Sequence, residues 1–348
     1  MHTFDYSFLD NGLLPASLVN VTASIASLRT AESFRKESHL EVFTGLEQIA
    51  RVQSVKSSNA IEGIVTSDER IAQIVGQNSA PLNHDEAEIA GYRDALGIIH
   101  ENFGTLPFSE DTILSLHKTL LSATGYEFGG QYKGNDNVIL EIDKDGRRKI
   151  RFAPVPATET ATAMEQLVLA YMDASSGSRI NQLLLIPCVI LDFLCIHPFR
   201  DGNGRMSRLL SLFLLYKNGY DAGKYVSFEE QINKEKGWYY ESLRQSSENW
   251  HENRNDYIPF MQNFLTMLYK CYAELDSRFA VVNSNKVSKT ARIEAAVLNS
   301  LLPVSKADIC KILPDVSPTT IEFVLGNMVR SGVITTIGAG RGTKYVRA

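Results

Sequence analysis

The chain has 348 residues, a formal net charge of −5 and 44% hydrophobic residues. That length suits two or three domains, and the composition excludes disordered and fibrous classes. The longest apolar run, residues 183–191, is interrupted by Pro187 and closed by Asp192, well short of the ~18 residues of a membrane span, so no membrane partner is expected.

The start, residues 1–5, lacks the basic and apolar regions of a secretory leader. Cys188, Cys195, Cys271 and Cys310 are scattered, with neither zinc spacing nor a disulfide framework, which fits a reducing cytoplasm. Residues 1–100 read as helical, with a loop over 77–84. Within them Ser58-Asn59-Ala60-Ile61-Glu62-Gly63 ends in a glycine, a helix-stop signal. The spacing of four from Ser58 to Glu62 does not make a capping box, which needs three. On residue pattern alone Glu62 is an ordinary helix-end side chain.

Residues 129–156 carry two β-prone runs, Val138-Ile139-Leu140 and Lys149-Ile150-Arg151-Phe152, on either side of Asp143-Lys144-Asp145-Gly146. Such runs around an Asp-Gly turn predict a hairpin, either a cover for the core or a working flap. Residues 180–196 and 209–215 are apolar enough for two buried helices, and Gly202 and Gly204 place the break between them. The break holds His197-Pro198-Phe199-Arg200-Asp201-Gly202-Asn203-Gly204-Arg205-Met206-Ser207-Arg208. A helix start exposes free N–H groups and the positive end of the dipole, and glycines let an anion come close. Arg205 and Arg208 lie three apart on one helix face, and their forks suit phosphate oxygens. Asp201 is the hard oxygen ligand that Mg²⁺ takes together with phosphates. His197 can serve as a general base near neutral pH. Taken singly, residues 201–204 are a turn and His197 a helix-end histidine. Together they are the parts that handling a nucleoside triphosphate requires. Farther on, Trp238-Tyr239-Tyr240 is an aromatic cluster on a helix, read either as core or as a base-stacking surface.

Residues 286–348 hold nine Lys/Arg against four Asp/Glu, a net +5 that leaves −10 on residues 1–285 and marks a separate module. Asn283-Ser284-Asn285 reads as the linker. Helices are predicted from Arg292 to Leu302, from Ser305, and from Ser317, which precedes Pro318 at the first helical position. Residues 333–337 and 344–347, joined by a turn over 338–342, predict a two-stranded wing. Three helices and a wing resemble a winged-helix domain. Its partner is either DNA, through Thr319, Thr320, Arg341 and Lys344, or a protein.

The segment from His197 to Arg208 matches, position by position, the signature His-Pro-Phe-x-Asp-Gly-Asn-Gly-Arg-x-x-Arg, and by it the chain resembles the Fic family. Residues 58–63 resemble the family's inhibitory pattern Ser/Thr-x-x-x-Glu-Gly/Asn, whose place before the core corresponds to class II. The resemblance implies a mainly α fold: an N-terminal helical region over 1–100 with an inhibitory helix near 55–63, a Fic helical bundle with a β-hairpin flap over 101–282, and the winged helix over 286–348. It implies Mg²⁺- and ATP-dependent transfer of AMP to a Tyr, Ser or Thr hydroxyl of a target protein. His197 would deprotonate that hydroxyl and Asp201 would hold Mg²⁺. Gly202, Asn203 and Gly204 would form the anion hole. Arg205 and Arg208 would take the β- and γ-phosphates, with Met206 and Ser207 in the same ATP-binding stretch. Tyr239 would stack on adenine. Ser58, Glu62 and Gly63 would form the inhibitory motif, with Glu62 paired to Arg208 against the γ-phosphate. Arg148, Lys149, Ile150 and Arg151 of the flap would bind the target by strand addition. Gly204 stands where the phosphorylating Doc-like branch carries lysine, which disfavours a kinase. Ser247 stands where relatives place an asparagine near the ribose. Two other functions stay open: removal of AMP at the same site with Glu62 positioning a water, and a DNA-binding regulator whose Fic domain senses nucleotide. A homodimer is likewise left open.

Overall fold

The computed structural model describes residues 2–142, 148–177, 179–283, 288–298, 300, 303–338 and 340–347. The elements are α1 (Phe8–Asn11), α2 (Ala16–Ser38), α3 (Leu40–Ile61), α4 (Asp68–Gln77), α5 (His84–Asn102), α6 (Glu110–Leu120), β1 (Ile139–Ile142), β2 (Arg148–Phe152), α7 (Thr160–Ser176), α8 (Gln182–Ile196), α9 (Asn203–Lys217), α10 (Phe228–Lys234), α11 (Lys236–Ser247), α12 (Ile258–Asn283), α13 (Lys289–Leu298), β3 (Val304–Ser305), α14 (Lys306–Ile312), α15 (Pro318–Arg330), β4 (Ile334–Ile337) and β5 (Lys344–Arg347). The fold is mainly α, as the sequence predicts. Among the described residues no helix is long and apolar enough to cross a membrane.

Every residue of α8 from Leu183 to Ile196 is buried, which accounts for its unbroken apolar run. It packs against α7, α9 and α12. Pro187 interrupts the apolar run but does not end α8, which is continuous as expected. It lies near the N-terminal end, where one backbone bond is lost, and packing on all sides holds the rest. Asp192 is fully buried and accepts hydrogen bonds from Tyr6 Oη at 2.8 Å, Trp250 Nε1 at 2.7 Å and Tyr257 Oη at 2.9 Å. Burial raises its carboxyl pKa to about 7. His2 adds a stacked contact with Trp250, centroids 4.0 Å apart, and a 2.7 Å hydrogen bond from its Nδ1 to the Trp250 carbonyl. The first residues therefore form an extended arm pinned to the base of α8, where uninterrupted helix was expected.

Helix α5 runs through residue 100, and a single apolar core extends from Tyr6 to Leu275. A second core spans Ile293 to Ile334. It is built from α13, α14, α15 and an antiparallel sheet of order β3-β5-β4. The C-terminal sheet thus has three strands where two were expected, because Val304 and Ser305 pair with Tyr345 and Lys344. Helix α13 starts at Lys289, earlier than Arg292. Ser305 and Asp308 form a capping box on α14, and Ser317 caps α15 ahead of Pro318. Thr319 and Lys344 are exposed and Thr320 is partly so. The hairpin turn at 143–147, the linker residues Ser284 and Asn285, Leu301 and Leu302, and the side chains of Arg148 and Arg341 lie outside the described residues.

Candidate active site

His197 ends α8 in the left-handed region, φ 50° and ψ 60°, an uncommon conformation for a residue with a side chain. Its neighbours explain how that strain persists. The Lys133 N–H donates to the Pro198 carbonyl at 2.9 Å, and Lys133 Nζ donates to the Ile196 carbonyl at 3.2 Å. Lys133 Nζ also donates to Asn137 Oδ1 at 2.8 Å, while Asn137 Nδ2 donates to the Phe199 carbonyl at 3.3 Å. One short segment therefore grips the backbone on both sides of His197. Burial lowers the His197 pKa to about 4, and the Lys133 charge pushes in the same direction, so the ring is neutral at pH 7 and free to accept a proton. Replacing Lys133 by Met is expected to raise the His197 pKa in an NMR titration. It should also reduce stability by about 1–3 kcal/mol through the lost hydrogen bonds. An unmoved ring pKa would contradict the electrostatic half of this account.

The loop after His197 enters α9. His117 Nε2 meets the Asp201 carbonyl at 3.1 Å, and the Gly130 N–H donates to His117 Nδ1 at 3.0 Å. Gly202 has φ +81°, and an added Cβ would sit 3.2 Å from Leu120 Cδ2, so both its backbone and its space call for glycine. The Asn203 side chain is not free to meet an anion: Oδ1 accepts from the Phe199 N–H at 2.9 Å and Nδ2 donates to the Phe199 carbonyl at 2.8 Å. Asn203 shapes the loop, and what it offers a ligand is backbone. No side chain caps α9, so its first N–H groups stay available.

Asp201 is half exposed. Its Oδ1 accepts from the Gly202 N–H at 2.7 Å, and its Oδ2 lies 3.6 Å from Arg205. Among the described residues no group of three His, Cys, Asp or Glu side chains converges as a metal cage. A lone accessible carboxylate beside open backbone amides fits Mg²⁺, which takes one or two carboxylates and completes its shell with phosphates and water.

The two arginines part company. Arg205 is 2% exposed and ion-paired with Glu88 of α5, so it does not line the cavity as the shared-face expectation required. Met206 and Ser207 are buried, with the Ser207 hydroxyl bonded to the Gly204 carbonyl at 2.8 Å. Arg208 does line the cavity. Its Nε donates to Ser58 Oγ at 2.8 Å, and one terminal nitrogen donates to the Ser58 carbonyl at 2.9 Å and to Glu62 Oε1 at 2.8 Å. Glu62 is the C-cap of α3, and Gly63 follows at φ +84°. The helix stop and the inhibitory pattern are therefore one feature: the stop aims the carboxylate. A Cβ added at Gly204 would come within 2.2 Å of Glu62 Oε1, so the absent side chain at 204 is the carboxylate's seat.

These groups share a cavity of about 200 Å³. His197, Gly204, Arg208 and Glu62 line it. Ile139, Arg151 and Phe152 of the β1–β2 hairpin and Tyr239, Tyr240, Leu243 and Ser247 of α11 also line it. Tyr239 is only 5% exposed, packed against Phe260 and Tyr240, whereas Tyr240 is 39% exposed and offers the larger aromatic surface. In the hairpin Ile139–Ile142 pairs antiparallel with Arg148–Phe152. Lys149 and Ile150 are exposed on it, and Arg151 faces the cavity.

Comparison with known proteins accords with this fold. Residues 107–215 match the Fic/DOC family. A Fido domain-containing protein of Dictyostelium discoideum is 27% identical over 121 residues, which cover 35% of this chain and 78% of that protein. A Fic family protein from Desulfovibrio desulfuricans superposes with a TM-score of 0.63 at 19% identity, over 97% of each chain. A Fic domain-containing signalling protein from Bacteroides thetaiotaomicron gives 0.57 at 20% identity, over 74% of this chain and 95% of its own. Members of the family commonly transfer AMP to proteins. Residues 107–215, which carry His197 and the whole first turn of α9, form a domain of the Fic/DOC family.

Proposed function

We propose that this chain is an ATP- and Mg²⁺-dependent protein adenylyltransferase held in check by Glu62. One observation carries the reading: Arg208, the guanidinium best placed for a terminal phosphate, is bonded to Glu62 in the cavity that His197 also lines. The neutral His197 ring takes the proton of a Tyr, Ser or Thr hydroxyl on the target. The hydroxyl oxygen then attacks the α-phosphorus of ATP, and pyrophosphate leaves with the electrons of the broken bridging bond. The backbone amides of Asn203 and Gly204 stabilise charge on the transferring phosphate, the Gly202 N–H being taken by Asp201, and Arg208 holds the departing end. Mg²⁺, held by Asp201 and phosphate oxygens, would neutralise the leaving pyrophosphate. Tyr240, with Tyr239 behind it, is the surface offered to adenine. The exposed hairpin supports an added target strand.

Intact-mass spectrometry after incubation with Mg²⁺ and ATP tests the reading. Wild type and Glu62→Gly should gain the mass of one AMP, on the chain itself or on a supplied target, and more in the variant. Asp201→Ala should lose both activity and Mg²⁺ stimulation; a variant still fully stimulated by Mg²⁺ would remove the ligand role. The Glu62 carboxylate, one-third exposed beside His197, also supports AMP removal, in which it would hold the attacking water.

The C-terminal unit is proposed to be a winged helix. Exposed Phe323 on α15, beside a Glu322 paired with Lys306, favours a protein partner over DNA. A gel shift of the full chain that weakens steeply with salt would reverse that preference. We assign the cytoplasm as its compartment, which four free cysteines support.

A further inference from the structure

Three charged side chains line the cavity. Two of them, Glu62 and Arg208, neutralise each other. The third, Arg151 of β2, makes no hydrogen bond and no ion pair among the described residues. It is partly buried, and burial lowers its pKa below the ordinary arginine value. On the described part of its hairpin, Glu141 lies 3.7 Å from Lys149 and reaches Arg151 only through its charge, without a hydrogen bond or ion pair. A guanidinium withdrawn from water without a counter-ion is costly unless an anion joins it. Arg151 lines the same cavity as His197, Tyr239 and Tyr240, close enough for its charge to act on all three. Leu140, Lys149 and Ile150 of the hairpin are exposed to solvent, whereas Arg151 lines the cavity, so an anion that meets its guanidinium there enters the cavity.

We propose that Arg151 receives the phosphate carried directly on the ribose of a nucleotide, and that it does so whether or not Glu62 holds Arg208. The proposal rests on the nucleotide-site reading above and adds to it a receptor that the inhibitory carboxylate leaves untouched. An arginine fork matches phosphate oxygens, and a charge-assisted contact of this kind is lost with the fork. It also gives the flap a second task, to close over the nucleotide as well as to meet the target.

Calorimetric titration of the full chain with AMP and with adenosine tests it, using wild type, Arg151→Gln and Arg151→Lys. The Kd for AMP should rise about tenfold or more in Arg151→Gln. The Kd for adenosine should stay within about twofold, which also reports that the pocket is still folded. Arg151→Lys should recover part of the AMP affinity, a point charge without the fork. Equal losses for both ligands would mean that Arg151 shapes the pocket or contacts the base, and would overturn the proposal. So would an unchanged AMP affinity, including the case in which only a protein target binds more weakly, and so would a wild type that binds neither ligand. The transfer assay reads separately. Absent transfer with the AMP–adenosine split intact removes the transferase reading and leaves Arg151 in its role; transfer without the split removes Arg151 alone.

Discussion

Glu62→Gly is expected to raise both transfer and ATP binding by about 10- to 100-fold, the worth of one charge-assisted hydrogen bond of about 1.5–3 kcal/mol. In the wild type, ATP must displace a carboxylate that sits 2.8 Å from Arg208 and fills the space above Gly204. In the variant the competitor is gone, while Ser58 still holds the same guanidinium through its hydroxyl and its carbonyl. Glycine is a mild choice at this position. Residue 62 is already the C-cap of α3, beyond the last helical residue Ile61, so the usual cost of glycine in a helix interior does not apply. The variant should nevertheless be less stable without nucleotide, because a guanidinium 2% exposed has lost its counter-ion. ATP should then raise the melting temperature more in the variant than in the wild type, since the stabilisation by a ligand grows with its affinity. Thermal shifts at matched ATP concentrations read this directly. Equal shifts and equal transfer rates would remove the inhibitory role from Glu62 and leave it a helix cap.

What could be read from sequence and what could not divide along the range of the interaction. The α8–loop–α9 unit was legible because burial on all sides and a glycine break are local patterns, and the spacing of His197, Asp201 and Arg208 travels with them. The Arg208–Glu62 pair, 146 residues apart, was legible only through resemblance, since no periodicity links the two segments. Lys133 carries no local mark at all. It looks like one more polar residue in a loop until the fold brings it beneath Ile196 and Pro198. Glu88 is similar: on α5 it reads as a solvent-facing charge, yet it takes Arg205 out of the cavity. Asp192 seemed only to close an apolar run, and its three donors come from an N-terminal arm and from residues beyond α11. Arg151 and Lys149, two apart on one strand, could not be told apart without knowing what each faces.

His197→Ala is expected to lower transfer by about 10²–10⁴-fold, the usual contribution of a positioned base, while ATP binding survives because the phosphate amides and Arg208 remain. The bare result would be open to objection, because alanine at φ 50° carries a backbone strain of about 1–3 kcal/mol that histidine is held to tolerate here. His197→Asn answers it. Asparagine adopts the left-handed region readily and cannot take a proton, so it keeps the loop and deletes the chemistry. If both variants lose transfer alike and both bind ATP, the ring nitrogen is the base. If Asn restores transfer, the loop conformation is what His197 supplies. The pH profile of kcat/KM, which reports groups of the free enzyme, gives an independent reading. With the His197 pKa lowered to about 4, the neutral ring is present above that value and lost as pH falls through it. The histidine-dependent acidic limb should therefore lie near pH 4. A limb at the ordinary histidine value near 6.5 would show that burial and Lys133 do not hold the ring neutral, and the grip of Lys133 on the loop would then be purely structural.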